Sequence, residues 1–125
     1  AKTATAMTDV TGFGLVGHLM TILEASKVGA ELDLEALPLL PDALRLSGQG
    51  LRSSIWQANS EVAARMTFKQ SAKTDLLFDP QTGGGLLACI PEDCLNDTLS
   101  LLQAAGEPVW TIGRTSERTK FIALC

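Results

Sequence analysis

The apolar positions of this chain change period along its length, and the changes mark its elements. From Gly14 to Lys27, Leu15, Leu19, Ile22 and Leu23 recur at helical spacing with Ser26, which predicts an amphipathic helix stopped by Gly29. Ala30 to Leu34 alternate as a half-buried strand does. Pro38 and Pro41 then interrupt the pattern. Pro41-Asp42-Ala43-Leu44 reads as the start of a short helix, and Ser47-Gly48-Gln49-Gly50 as a turn or loop. Within Ser53 to Met66, Ala and Glu predict helix from Ala58 onward. Lys69 to Thr74 is polar and predicts a loop.

The second half reads differently. Leu76-Leu77-Phe78 is a short apolar run expected to be a buried strand, and Gly85 to Ile90 is a second one, with Gln81 to Gly84 as the connection. Pro91 opens a helix on which Leu95, Thr98, Leu99 and Leu102 share a face, and Gly106 caps its end. Val109 to Ile112 and Phe121 to Leu124 are the last predicted strands, joined by a polar hairpin loop over Gly113 to Lys120. Helices and strands mix without strict strand–helix–strand alternation. The expected fold class is α+β, a mixed sheet packed with α-helices.

Composition narrows the function classes. The 125 residues fit one domain, and 46% hydrophobic against 19% charged content fits a packed core. A net charge of −4 disfavours a nucleic-acid surface, so a phosphorylated ligand would be held by local groups and metal. No apolar run reaches the length of about 18 residues that a membrane span needs. The three cysteines, Cys89, Cys94 and Cys125, lack metal-site spacing and are expected to be reduced thiols of a cytoplasmic protein, Cys89 in the core. The chain opens Ala1-Lys2-Thr3 and is expected to be a fragment of a longer protein, so targeting of the parent stays open.

Two glycine-rich strings carry the candidate chemistry. In Thr8-Asp9-Val10-Thr11-Gly12-Phe13-Gly14, a carboxylate precedes a flexible turn and then a helix. Asp9 can reach a hard cation such as Mg²⁺, the glycines allow close backbone approach, and the helix start offers free N–H groups to an anion. The alternative is that Asp9 or Thr11 merely caps the helix. In Asp79-Pro80-Gln81-Thr82-Gly83-Gly84-Gly85, backbone N–H groups could cradle a phosphate, or the glycines could serve a tight turn between buried strands. His18, the sole histidine, is expected to be a structural hydrogen bonder. Trp56 and Trp110 are expected in core or interface, and Asn59 reads as an exposed or capping residue, with ligand contact as its alternative.

Read together, the strings carry a resemblance. Thr8 to Leu19 resembles the TDVTGFGLLGHL signature of the selenophosphate synthetase (selenide, water dikinase) family, and Asp79 to Leu87 resembles its DPQTSGGLL signature. The resemblance spans essentially the whole chain, and the match is to the C-terminal half of those enzymes. Their superfamily includes aminoimidazole ribonucleotide synthetase, thiamine monophosphate kinase and a hydrogenase-maturation enzyme. It implies a single domain over residues 1–125 with the aminoimidazole ribonucleotide synthetase C-terminal-domain fold, packed on an N-terminal ATP-binding domain in a cytoplasmic homodimer. The implied reaction converts ATP, selenide and water to selenophosphate, AMP and phosphate, for selenocysteine and selenouridine synthesis.

Residue by residue, the resemblance makes Asp9 a ligand of Mg²⁺ bound with ATP. It extends nucleotide contact to Thr11, Gly12, Gly14, Thr82, Gly83 and Gly84. It places no catalytic residue in this fragment, because the nucleophilic Cys or Sec and its Lys partner belong to the N-terminal half. Two departures stand out: Met7 where the signature commonly has Cys, and Gly83 where it has Ser. Backbone donation survives the second change; the hydroxyl does not. Two other readings remain open at this point: another ATP-dependent member of the superfamily, and a stand-alone ligand-binding or regulatory module.

Overall fold

The computed structural model describes residues 4–117 and 122–124. Helix α1, Gly14–Ser26, forms where the periodicity places it, and it buries Val16, Leu19, Met20 and Leu23 on one stripe. Its stop differs from expectation. Lys27, not Gly29, takes the left-handed position with φ 57°, while Val28 N–H closes onto the Leu23 carbonyl at 3.1 Å. That six-to-one closure satisfies the last carbonyls without glycine and costs about 1 kcal/mol of left-handed strain. Gly29 already belongs to strand β2, Gly29–Leu32.

β2 lies inside a four-stranded mixed sheet. The order is β3 (Met66–Thr67), β6 (Ile122–Leu124), β2, β5 (Gly113–Ser116). β2 runs parallel to β6 and antiparallel to β5, and β6 runs parallel to β3. A separate antiparallel ribbon pairs β1 (Ala6–Asp9) with β4 (Leu86–Cys89). The remaining helices are α2 (Ala43–Gly48), α3 (Trp56–Asn59), α4 (Ala72–Asp75) and α5 (Glu92–Ala104). Short 3₁₀ turns follow α3 at Ser60–Arg65 and α4 at Leu76–Phe78.

The core joins α1 to both sheets. Leu19 and Leu23 of α1 are buried together with Leu32, Ile122, Leu87 and Phe78. Each such side chain, fully buried, contributes about 1.5–3 kcal/mol before entropy is charged against it. Helix α5 stands outside this core. None of its residues is buried, and Leu101 is 71% exposed.

Four sequence expectations are corrected. Leu76–Phe78 is a buried 3₁₀ turn rather than a strand, since three apolar residues carry no period that separates the two. Within the polar stretch Lys69–Thr74, Ala72 already starts α4, because Ser71 and Thr74 form a reciprocal capping box. Ser47 and Gly48 are helical, the last turn of α2. Val109–Ile112 makes no strand, whereas Gly113–Ser116, read as loop, is β5. β5 is an edge strand, so its polar side chains face solvent, and Arg114 pairs with Glu31 of β2 at 2.7 Å across the ladder. β2 separates β5 from β6, so the two make no hairpin ladder. The rest of the predicted loop, 118–120, lies outside the described residues, as do Phe121 and Cys125.

Candidate functional site

The two glycine-rich strings, far apart in sequence, are stitched into one surface. Asp9 is the last residue of β1 and pairs with Leu86, the first of β4. Immediately beyond, Val10 N–H donates to the Gly85 carbonyl at 2.9 Å, and Gln81 N–H donates to the Thr11 carbonyl at 2.9 Å. The Thr11 carbonyl also accepts from Gly14 N–H at 3.1 Å, which turns the chain into α1. A third tie comes from α3. Asn59 Nδ2 donates to the Gly12 carbonyl at 2.8 Å and to the Phe78 carbonyl at 3.0 Å.

Strand alternation decides which side chains face out. Met7 and Asp9 of β1 are exposed with Leu86 and Ala88 of β4, while Leu87 is buried on the opposite face. The Asp9 carboxylate therefore stands in solvent, flanked by apolar side chains, with no hydrogen-bond or ion-pair partner among the described residues. The helix-cap alternative falls for Asp9 and Thr11 alike: Phe13 occupies the cap position of α1, and no side chain caps it. The Thr11 hydroxyl is engaged with His18 Nε2 at 3.1 Å, and the Phe13 ring lies 5.4 Å from the His18 ring. His18 is thus a hydrogen bonder that braces the turn.

The glycines divide by environment. Gly14 is buried with φ +71°, and a Cβ there would lie 2.8 Å from the Leu77 carbonyl oxygen. At Gly84 a Cβ would lie 2.2 Å from the Val10 carbonyl oxygen. Packing alone requires these two glycines. Gly12 and Gly83 are exposed, with nothing within 4 Å of a built Cβ. Thr82 is exposed beside Gly83. The N–H groups of Gly12, Phe13, Thr82 and Gly83 find no acceptor among the described residues, which leaves them to water or an anion.

No group of three or more His, Cys, Asp or Glu side chains among the described residues can hold a metal by itself. Asp9 fits a hard cation as one exposed carboxylate oxygen donor, and the other ligands must come from outside this set. Cys89 and Cys94 are free thiols. Burial pushes the Cys89 thiol up, half-buried rather than fully in the core, and desolvation with the neighbouring Asp93 and Asp97 pushes Cys94 up. Activated nucleophiles are shifted the other way.

Two features escaped the sequence reading. Asn59 is a half-buried cross-link between strings, and Arg52 is paired with the buried Asp75 while its guanidinium stacks 5.3 Å over Trp56. Trp56 itself donates from Nε1 to the Asp75 carbonyl at 2.8 Å and meets the Phe78 ring edge-on. Trp110, by contrast, is 54% exposed. The spacing of Trp56 and Asn59, three apart on a helical turn, was the available signal. A cleft of about 310 Å³ beside them is lined by Trp56, Phe68, Asp75 and Phe78 and includes no residue from Asp9 to Gly14.

Comparison with known proteins agrees with this fold. The family described as AIR synthase related protein, C-terminal domain, matches residues 1–125. The selenide, water dikinase of Nitratidesulfovibrio vulgaris (strain DP4) is 38% identical over 116 residues, 90% of this chain and 33% of that protein. That of Shewanella sp. (strain MR-4) is 39% identical over 131 residues, 99% of this chain and 36% of that protein. The chain spans about a third of the length of the curated relatives it matches. The crystal structure of thiamine-monophosphate kinase from Stenotrophomonas maltophilia K279a shares the fold at a TM-score of 0.61 and 20% identity, covering 98% of this chain and 32% of that one. The structure described as AaThiL complexed with AMPPCP and TMP does so at 0.56 and 21%, covering 98% and 30%. From its α+β fold and a match along its entire length, the chain belongs to the AIR synthase related protein, C-terminal domain, family.

Proposed function

We propose that this chain is the C-terminal part of a selenide, water dikinase and that it completes a Mg²⁺–ATP site shared with an N-terminal domain. The observation that carries the reading is the stitching of the Asp9–Gly14 and Asp79–Gly85 strings into one surface, with a free carboxylate and free N–H groups. The names of relatives matched across 90–99% of the chain support it.

Transfer of a phosphoryl group rests on positioning and charge neutralisation. In this reading Asp9 contributes one oxygen to Mg²⁺, and the metal would neutralise phosphate charge. The N–H groups of Gly12, Thr82 and Gly83 would orient phosphate oxygens through hydrogen bonds that need no side chain, so Gly83 serves where the related signature has Ser. Gly14 and Gly84 act from beneath, by letting the two backbones approach. The nucleophile is supplied by the N-terminal domain, and the intact protein is a cytoplasmic homodimer.

The test is Asp9→Asn in the full-length protein. Selenide-dependent AMP formation should fall roughly 100-fold, the scale set by loss of groups supporting a metal site, while the melting temperature holds. Activity near that of the unmodified protein would leave Asp9 an ordinary surface carboxylate. The isolated 125-residue chain should form no AMP from ATP and selenide, and measurable AMP would overturn the shared-site reading.

A further inference from the structure

We propose that Asn59 is a positioning residue that locks the two strings at a fixed separation, so that the Asp9 carboxylate and the N–H groups of both loops face one ligand. The proposal rests on the Mg²⁺–ATP reading above for what the ligand is, but its mechanical content is independent of it.

The geometry is specific. The side-chain amide of Asn59 has two N–H protons, and each is committed to a different string: one to Gly12, one to Phe78 at the threshold of Asp79. The Phe78 carbonyl ends the 3₁₀ turn, where no further helical N–H reaches it, so a side-chain donor fills a real vacancy. Trp56 donates one turn earlier to the Asp75 carbonyl, at the start of the same 3₁₀ turn. Donors three apart on α3 thus meet carbonyls three apart on the α4 segment. Arg52, paired with Asp75 and stacked on Trp56, fixes that register from behind. Asn59 therefore arrives pre-aimed at Gly12.

Gly12 needs that contact. It is exposed, no atom lies within 4 Å of a Cβ built on it, and its N–H has no acceptor among the described residues. The bond from Asn59 is its one hydrogen bond among them. The ribbon and the Val10–Gly85 and Thr11–Gln81 bonds hold the strings together on the strand side, independently of Asn59. Loss of the amide should therefore release the Gly12–Phe13 turn and the Phe78–Asp79 junction without dismantling the ribbon.

The experiment compares the full-length protein with Asn59→Asp and Asn59→Ala. The first keeps the shape but sets a carboxylate against two carbonyls; the second removes the group without charge. Hydrogen exchange should accelerate about tenfold at the bonded amides beside each contact, Gly14 in segment 10–14 and Asp79 in segment 76–84, the effect of about one lost hydrogen bond, with the rest of α1 and β2 unchanged. The KM for Mg²⁺–ATP should rise about tenfold, more than kcat falls. Acceleration in one segment only, or in neither, overturns the coupling. A lowered melting temperature with unchanged KM reduces Asn59 to a structural residue and overturns its positioning role. Should the unmodified protein show no Mg²⁺–ATP turnover, the dikinase reading falls, and the paired exchange response still decides whether Asn59 couples the strings.

Discussion

Gly14 and Gly84 are hemmed in by backbone, whereas a Cβ at Gly12 or Gly83 would meet nothing within 4 Å. The first string thus holds one glycine of each kind, and the second holds one confined glycine and two open ones, since Gly85 also has nothing within 4 Å of a built Cβ. The confined pair lets the two strings and the start of α1 come together. Gly12 and Gly83 face solvent, where backbone N–H groups are unpaired. A glycine-rich string therefore need not mean a flexible loop. Some of its glycines can be packing residues, and only the others are free to meet a ligand.

Substitutions separate the two kinds. Gly84→Ala should be the most damaging, because its Cβ meets backbone rather than a movable side chain. It should cost about 3 kcal/mol or more in urea unfolding. Gly14→Ala should follow at roughly 2–3 kcal/mol, combining overpacking with left-handed strain. A loss under about 0.5 kcal/mol for either, the level of an ordinary surface change, would break the comparison. Gly83→Ser restores the hydroxyl of the related signature, but φ there is +63°, so about 1 kcal/mol should be lost. Gly12→Ala should stay within about 0.5 kcal/mol, and a larger drop would place Gly12 with the confined pair.

The smallest effect concerns the ribbon that carries both strings. The Cys89 thiol is pushed up by burial, so the native state keeps its proton at a pH where the unfolded chain has lost it. That contribution is complete below the unfolded-state pKa and fades as pH rises through the folded one. Iodoacetamide labelling of Cys89 should accordingly rise at higher pH than for a free cysteine, and the shift should vanish in urea. Labelling that matches free cysteine would mean that β4 opens readily.

Much of this was legible in the chain. Helices α1 and α5 announced themselves by period, and β4 by an apolar run bounded by glycine. The two strings also marked the surface on which the site is proposed. What stayed hidden depends on partners distant in sequence. β5 is polar and becomes a strand only because β2 offers it an edge. Leu76–Phe78 looks like any buried run until Ser71 and Thr74 start a helix ahead of it. Asn59 looks like a surface residue until Gly12 and Phe78 are brought beside it. Gly14 and Gly84 look alike to Gly12 and Gly83 until a backbone is laid against them.

The β1–β4 ribbon also governs the order of assembly. Its pairing reaches from Thr5 to Cys89, a separation of 84 positions. Closing so long a loop is slow because the entropy is spent before the contacts reward it, although doubling a loop's length adds only about 0.6 kcal/mol. While a nascent chain emerges, the first string must wait for the second, with Val10, buried in the folded domain, uncovered throughout. No partial version of the site can exist on a ribosome-bound or truncated chain that stops short of Gly85. The joined surface of the two strings is therefore a late property of folding.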